Sequence, residues 1–118
     1  MSLPTDIRRL LLGRRWGRGS ETYGDDPALT SELAVAFVRG LQGNHSKYRR
    51  VIATPKHYTG YSVEEVDGYS RTYFPGKFPA QDLTETYLPA WKAVVQKGNV
   101  GSVMCSCAPA PPCLRWLG

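Results

Sequence analysis

The chain has 118 residues, of which 42% are apolar and 21% charged, a composition that is typical of one small folded domain and unlike that of a disordered chain. Its 15 Lys and Arg against 10 Asp and Glu give a formal net charge of +5. No apolar run approaches the roughly 18 residues that a membrane-spanning helix needs. The three leucines at positions 10–12 are too few for the core of a signal peptide, so we expect no secretory signal.

The excess positive charge lies at one end of the chain. Residues 1–20 hold five arginines and one aspartate, a net of +4, so the other 98 residues carry only +1. A nucleic-acid-binding domain usually spreads Lys and Arg over a face of its fold. This distribution therefore weakens the case for nucleic-acid binding.

The first predicted element is an amphipathic helix that follows Gly24-Asp25-Asp26-Pro27. Asp26 suits the N-cap, Pro27 the first helical position, and Gly40 or Gly43 the end. Apolar residues recur every four positions and form a stripe that two smaller residues widen: Leu29, Leu33, Phe37 and Leu41, with Ala34 and Val38.

A short buried strand is predicted next, over residues 48–53, with an end at Thr54-Pro55. Lys56 and His57 would then lie where this strand gives way to a loop. The Gly- and Tyr-rich stretch from residue 58 to residue 79 predicts either a functional loop or an error in the assigned elements.

A second helix is predicted over residues 80–97, with Leu83, Tyr87, Val94 and Val95 as its apolar positions and a kink at Pro89. Gly98-Asn99 would end it, and residues 100–105 predict another buried strand. Strand, helix and strand in this order form a βαβ unit, which implies parallel strands and a right-handed crossover.

The predicted topology gives Lys56 and His57 a chemical meaning. Ligands of α/β folds bind beyond the carboxyl ends of the parallel strands, where this pair would donate hydrogen bonds to hydroxyl groups or hold one charge near a substrate. Spacing alone leaves a second interpretation open, in which His57 packs half-buried and Lys56 extends its ammonium to solvent.

A second polar cluster lies at residues 15–21, R-W-G-R-G-S-E. Trp16 would anchor a tight glycine turn, and an Arg18–Glu21 ion pair would fix the arginine for ligand contact. The alternative is a surface turn with a buried tryptophan.

Cys105, Cys107 and Cys113 are spaced as C-x-C-x5-C, which matches no common zinc pattern. Free thiols are the default expectation, with a disulfide or a soft-metal site as the alternatives. We predict no metal site and no cofactor.

Five motifs in order carry a resemblance to a known family. They are R-W-G-R-G-x-E-x-x-G-x-D-P with A-V-A-F-V-R-G-L-Q-G (residues 15–43), K-H-Y-x-G-Y (56–61), Arg71 before Phe74, Q-D-L-x-E-T-Y-L-P (81–89) and G-S-V-M-C-S (101–106). Together they resemble the N-terminal catalytic barrel of family 3 glycoside hydrolases, and they are most similar to the β-xylosidase branch.

The resemblance implies an α/β fold, namely a partial (β/α)8 TIM barrel of about three strands with their helices, incomplete at both ends. It divides the chain into a non-matching basic segment (1–14), a fragment of the family's N-terminal domain (15–106) and a non-matching Pro/Cys-rich tail (107–118). Before R-W-G-R the family has Asp-Pro where this chain has Gly13-Arg14, and after M-C-S it has Tyr-Asn where this chain has Cys107-Ala108.

The implied reaction is retaining hydrolysis of β-linked sugars, in which an aspartate attacks the anomeric carbon and a second carboxylic acid protonates the leaving oxygen. Arg18, Lys56 and His57 match the family's contacts to sugar hydroxyls in subsite −1. The nucleophile and the acid/base residue lie in later strands of family members, so we expect no catalytic residue in this chain. No motif assigns those roles to the acidic residues at positions 21, 25, 26, 64, 65 and 67.

The implied partner is a β-linked xylo- or gluco-oligosaccharide, with no nucleic acid and no membrane. Our first hypothesis is a fragment, or a mispredicted or frameshifted product, of a β-xylosidase-like enzyme. A non-catalytic sugar-binding remnant is the alternative, and nucleic-acid binding through the basic N-terminus is a third. Preference among xylosides, glucosides and arabinosides stays open. So does the cellular location, because the family is usually secreted and no signal peptide is expected here.

Overall fold

The computed structural model describes residues 21–60 and 78–106, which form two helical segments and two short strands. Helix α1 spans Pro27–Gln42 and strand β1 spans Lys56–Tyr58. The second helical segment begins as the turn α2 (Ala80–Asp82), continues as a π-helix (Leu83–Tyr87) and ends as α3 (Leu88–Gln96), before strand β2 (Met104–Cys105). This part of the chain therefore has an α/β fold; it contains two strands, whereas the resemblance implies about three in a partial barrel.

The two strands pair in parallel, with Lys56 opposite Met104 and Tyr58 opposite Cys105. The helical segment Ala80–Gln96 lies between them along the chain. The predicted strand–helix–strand order and the parallel direction of its strands are thus confirmed.

Local capping chemistry sets both ends of α1. The Asp26 carboxylate accepts hydrogen bonds from the backbone N–H groups of Ala28, at 2.7 Å, and Leu29, at 3.1 Å, and Pro27 occupies the first helical position. At the other end Gly43, with φ +75°, donates its N–H to the carbonyl of Arg39. The predicted start is confirmed, and Gly43 is the one of the two predicted glycines that ends the helix.

The buried face of α1 is not centred on the predicted stripe. Leu29, Leu33, Phe37 and Leu41 are 51%, 41%, 46% and 38% exposed. The residues that face inward are mostly smaller: Thr30, Ser31, Ala34, Val35, Val38 and Gln42. Small side chains let two helix backbones approach closely, so the contact with α3 forms on this neighbouring face, and only Ala34 and Val38 of the predicted set are buried.

The core lies between α1 and α3. It joins Ala34, Val35 and Val38 of α1 to Ala90, Trp91, Ala93 and Val94 of α3, with Ala53 from the segment before β1. Tyr23, Tyr58 and Val100 pack against this cluster from the side. One helix–helix contact therefore holds together parts of the chain that are far apart in sequence.

The prediction of a buried strand over residues 48–53 is wrong. Tyr48, Val51 and Ile52 are 65%, 54% and 59% exposed, and the strand comes later, at Lys56–Tyr58. A strand needs a hydrogen-bonded neighbour, and the β2 segment lies opposite residues 55–58: Met104 N–H donates to the Pro55 carbonyl at 3.0 Å, and Ser106 N–H to the Tyr58 carbonyl at 2.9 Å.

The second predicted strand exists but is shorter and more exposed than expected. The strand that we predicted over residues 100–105 contains only Met104–Cys105. Val103 and Met104 are 36% and 51% exposed, because the helices cover only part of this small sheet. Apolar composition alone did not distinguish this strand from a buried one.

The second predicted helix is confirmed to within one residue, as Ala80–Gln96. Its irregularity lies just before Pro89, where the Leu88 N–H donates to the carbonyl of Leu83 and widens the turn. Pro89 has no N–H for the carbonyl four residues earlier, so the regular ladder is interrupted at this point. No helix in residues 21–60 and 78–106 is long and apolar enough to cross a membrane.

A buried carboxamide ties the end of α1 to the turn between α3 and β2. Gln42 is 4% exposed; its Nε2 donates to the Asn99 carbonyl at 2.9 Å, and its Oε1 accepts from Gly101 N–H at 2.8 Å. The Arg39 guanidinium adds two bonds to the Lys97 carbonyl, at 3.1 and 2.8 Å. These contacts fix the turn that leads the chain into β2.

Replacing Val94 by Ala is expected to lower the free energy of unfolding by about 1–3 kcal/mol, because it removes buried methyl groups and leaves a cavity. Val95→Ala is the matched control, since Val94 is fully buried and Val95 is 55% exposed; we expect a change within about 0.5 kcal/mol. Urea unfolding of both variants measures the difference. Equal losses would contradict this helix orientation.

Replacing Gln42 by Ala is expected to lower the free energy of unfolding by about 1–3 kcal/mol, because the Gly101 N–H loses its partner in a half-buried position. The control is Gln81→Ala, which removes an exposed side chain that bonds to Glu85 and should change stability by less than about 0.5 kcal/mol. Thermal unfolding followed by circular dichroism compares the two. A Gln42 variant as stable as the control would show that the polar tie contributes nothing.

Candidate functional site

Lys56, His57 and Tyr58 are consecutive and half-buried on β1. The sequence placed Lys56 and His57 in the loop after a strand; the structure places both within the strand itself, beside Met104 and Cys105 of β2. The peptide bonds Lys56–His57 and Tyr58–Thr59 are cis. Two of the three residues that the family resemblance singled out are thus consecutive in one strand of the parallel sheet.

The core fixes the position of β1. The Tyr58 ring meets the Trp91 indole edge-on, with centroids 5.2 Å apart and an interplanar angle of 87°, and Trp91 is 3% exposed. An edge-to-face pair of this kind adds orientation to apolar burial. The neighbours of Tyr58, Lys56 and His57, therefore lie on a strand that is anchored to α3.

Lys56 forms an ion pair with Glu21. Its Nζ lies 3.0 Å from Oε2 of Glu21, with the two side chains 27% and 36% exposed. An ammonium group has three donors, so this bond leaves two N–H groups for other acceptors. The sequence predicted that Glu21 would pair with Arg18; Arg18 lies outside the described residues, and the structure shows Glu21 against Lys56.

The segment that carries Glu21 is held against α1. The Tyr23 ring lies 6.4 Å from the Phe37 ring, between centroids, and packs on the core. Burial raises the pKa of the Tyr23 phenol, so this side chain is neutral at physiological pH. Three residues later the Asp26 carboxylate caps the helix. The packing of Tyr23 and the helix cap at Asp26 therefore fix the position of the segment that contains Glu21.

The chain that leaves β1 passes close to an aromatic pair. Gly60 is buried and has φ +77°, and a Cβ at this position would lie 2.8 Å from Cε2 of Phe78. Phe78 in turn contacts the ring of buried Tyr87. Glycine is required here both for its backbone conformation and for its lack of a side chain.

Several predicted features lie outside residues 21–60 and 78–106. These are Arg18, the Arg71 and Phe74 motif, Cys107 and Cys113, the acidic residues at 64, 65 and 67, and the terminal segments 1–14 and 107–118. Within the described ranges Cys105 is an exposed free thiol. No three His, Cys, Asp or Glu side chains of those ranges group as a metal site.

Sequence reasoning missed the Glu21–Lys56 pair, the buried Gln42 and the Trp91–Tyr58 contact. Glu21 and Lys56 lie 35 positions apart, and nothing in either local pattern couples them. A glutamine at a helix end is usually exposed, so burial of Gln42 had no sequence signal. Trp91 lies four residues after Tyr87 and three before Val94, a helical spacing that could have indicated it.

Comparison with known proteins identifies the family. Residues 12–111 match the glycosyl hydrolase family 3 N-terminal domain. The chain belongs to this family. The match covers all of the described residues, including the β1 strand with Lys56 and His57.

Family 3 relatives with similar sequences carry xylosidase names. The chain is 45% identical over 98 residues to "Beta-D-xylosidase 1" of Arabidopsis thaliana, covering 82% of this chain and 13% of that protein. It is 48% identical over 96 residues to "Beta-xylosidase/alpha-L-arabinofuranosidase 2" of Medicago sativa subsp. varia, covering 78% and 12%. The chain thus spans about an eighth of the length of these relatives.

A solved family 3 structure has the same local fold. It is a GH3 exo-β-xylosidase in complex with a xylobiose aziridine activity-based probe, which matches with a TM-score of 0.76 at 38% identity. The match covers 80% of this chain and 12% of that one. The arrangement of helices and strands described above is therefore similar to part of a whole enzyme.

Replacing Gly60 by Ala is expected to lower the free energy of unfolding by about 1–3 kcal/mol, because a Cβ is strained at positive φ and meets the Phe78 ring. Gly40→Ala is the matched control: a Cβ on Gly40 would meet no atom within 4 Å, and alanine in a helix interior should stabilise by about 0.5–1 kcal/mol. Chemical denaturation measures the free energy of unfolding of both variants. If this geometry holds, the change is a decrease for Gly60→Ala and an increase for Gly40→Ala. A stabilised Gly60 variant would contradict it.

Proposed function

We propose that this chain is the sugar-contacting part of a retaining β-glycosidase of the β-xylosidase type, which hydrolyses terminal β-linked xylose from xylo-oligosaccharides. In this proposal residues 15–106 are part of a (β/α)8 barrel. Lys56, His57 and Arg18 bind hydroxyl groups of the sugar in subsite −1. The observation that carries the proposal is the position of Lys56 and His57, which are consecutive in a parallel strand that the core anchors through Tyr58 and Trp91.

The xylosidase assignment draws on the relatives rather than on the geometry. Both curated relatives have β-xylosidase in their names, and the matching solved structure contains a xylobiose-derived probe. We extend that substrate class to this chain because its motifs and local fold are shared with them. A β-linked gluco-oligosaccharide is the competing substrate.

The chemistry assigned to these residues is positioning. A retaining glycosidase forms and breaks a covalent sugar–enzyme bond through a transition state in which positive charge develops on the ring. Donors aimed at the ring hydroxyls hold the anomeric carbon in place for attack. Lys56 has two N–H groups besides the one that faces Glu21, which suits it to bind adjacent hydroxyl oxygens.

We also propose that these 118 residues bind sugar without hydrolysing it. The reaction needs two carboxyl groups about 5–5.5 Å apart across the glycosidic bond. The described carboxylates include Asp26, which caps α1, Glu32, which pairs with Lys97, and Glu85, which bonds to Gln81. Glu21 faces Lys56. In this proposal the nucleophile and the acid/base residue come from other parts of a complete enzyme.

We expect the 118-residue chain to bind methyl β-xyloside with a Kd on the order of 1 mM, because a ligand of about ten heavy atoms at ~0.4 kcal/mol each yields ~4 kcal/mol. Lys56→Ala with His57→Ala should abolish the binding, whereas Lys97→Ala, in an exposed ion pair, should leave it unchanged. NMR titration measures the Kd of the wild-type chain, of the double variant and of Lys97→Ala. A parallel titration with methyl β-glucoside tests the competing substrate.

The same preparations are then assayed on an aryl β-xyloside, with no turnover above background expected. Turnover that survives purification would contradict the proposed absence of the two catalytic carboxyl groups. Absence of saturable xyloside binding in the folded wild-type chain would contradict the sugar-binding role.

A further inference from the structure

Glu21 and Lys56 form a half-buried ion pair at the candidate site. The two side chains are 36% and 27% exposed, with 3.0 Å between Nζ and Oε2. The pair joins the segment before α1 to strand β1, so it spans two parts of the fold. An ion pair that is partly shielded from water is stronger than a fully exposed one.

A second ion pair in the described part of the chain provides the contrast. Lys97 Nζ lies 3.2 Å from Glu32 Oε1, with side chains 62% and 70% exposed. This exposed pair joins Glu32 of α1 to Lys97, the residue that follows α3. The N–O distances of the two pairs are similar, but the Lys97–Glu32 pair is more exposed to solvent and joins other elements of the fold.

We propose that Glu21 is a positioning residue for Lys56. Its carboxylate holds the ammonium group in one orientation, with the remaining two N–H groups directed at the ligand, and neutralises the ammonium charge. This inference rests on the sugar-binding role proposed for Lys56, and it assigns Glu21 a function in the same site.

The flexibility of lysine is the first reason for such a partner. A lysine side chain has four rotatable bonds, and fixing them on ligand binding opposes that binding through lost conformational entropy. A charge-assisted hydrogen bond to Glu21 fixes them before the sugar arrives. Pre-organisation of this kind increases affinity without a new contact to the ligand.

Charge balance is the second reason. Positive charge develops on the sugar ring in the transition state of a retaining glycosidase, and an uncompensated ammonium nearby would oppose it. The Glu21 carboxylate cancels that charge while leaving the N–H donors in place. Glu21 is itself positioned by its own segment, through Tyr23 on the core and Asp26 at the cap of α1.

The experiment compares Glu21→Gln, Glu21→Asp and the control Glu32→Gln in the 118-residue chain. NMR titration with methyl β-xyloside gives the Kd of each variant. ¹³C relaxation at Cε reports the motion of the Lys56 and Lys97 side chains. Thermal unfolding checks that each variant is folded. Glu21→Asp keeps the charge on a shorter stem, so it provides a second variant if Glu21→Gln does not fold.

We expect Glu21→Gln to raise the Kd about tenfold and to make the Lys56 stem as mobile as that of Lys97, because the charge-assisted bond is lost. Glu21→Asp should partly restore both the wild-type Kd and the restricted motion of the Lys56 side chain. Glu32→Gln should change neither the Kd nor the Lys56 relaxation. A Lys56 stem that is as mobile in the wild type as in Glu21→Gln would overturn the inference, whether or not sugar binds. Wild-type affinity in the Lys56→Ala variant, by contrast, would overturn the proposed function while leaving the relaxation result to decide the role of Glu21.

Discussion

The close contact between α1 and α3 is the constraint on which the rest of the described structure depends. Ala34, Val35 and Val38 meet Ala90, Ala93 and Val94 across it, and these small side chains allow the two helices to approach closely. Through Trp91 the same contact holds Tyr58 and therefore strand β1. The two strands are short, with three and two residues, so β1 depends on the contact of Tyr58 with Trp91 as well as on its pairing with β2. The positions of Lys56 and His57 are a consequence of helix packing.

Polar groups supply the orientation that apolar contact lacks. Hydrophobic burial is non-directional, whereas the Gln42 carboxamide, with one donor and one acceptor used, fixes the turn after α3 in a single arrangement. At the opposite end of α1 the Asp26 carboxylate does the same for the segment that carries Glu21. The two ends of one helix thereby determine where β2 begins and where the partner of Lys56 lies. Helix α1 therefore connects the candidate site to the rest of the described fold.

The residues that were predicted well are those governed by neighbours in sequence. Asp26, Pro27 and Gly43 determine the ends of α1 because caps act within one helical turn. The motif around Lys56 and His57 carried the family resemblance, and family membership is confirmed. The strand assigned to residues 48–53 failed because β-branched composition describes a preference, while a strand also requires a partner across the sheet. The stripe Leu29, Leu33, Phe37 and Leu41 failed as the buried face because periodicity identifies apolar positions without showing which neighbour covers them.

The sequence by itself determined the helix boundaries, the strand–helix–strand order and the family, since each depends on local chemistry or on motifs read in order. Only the tertiary structure decided which face of α1 is buried, where β1 lies along the chain, and that Glu21 faces Lys56. The physical reason is the same for all three. Each is a contact between residues distant in sequence, and such contacts are set by the packing of α1 on α3, which involves side chains that no single segment contains.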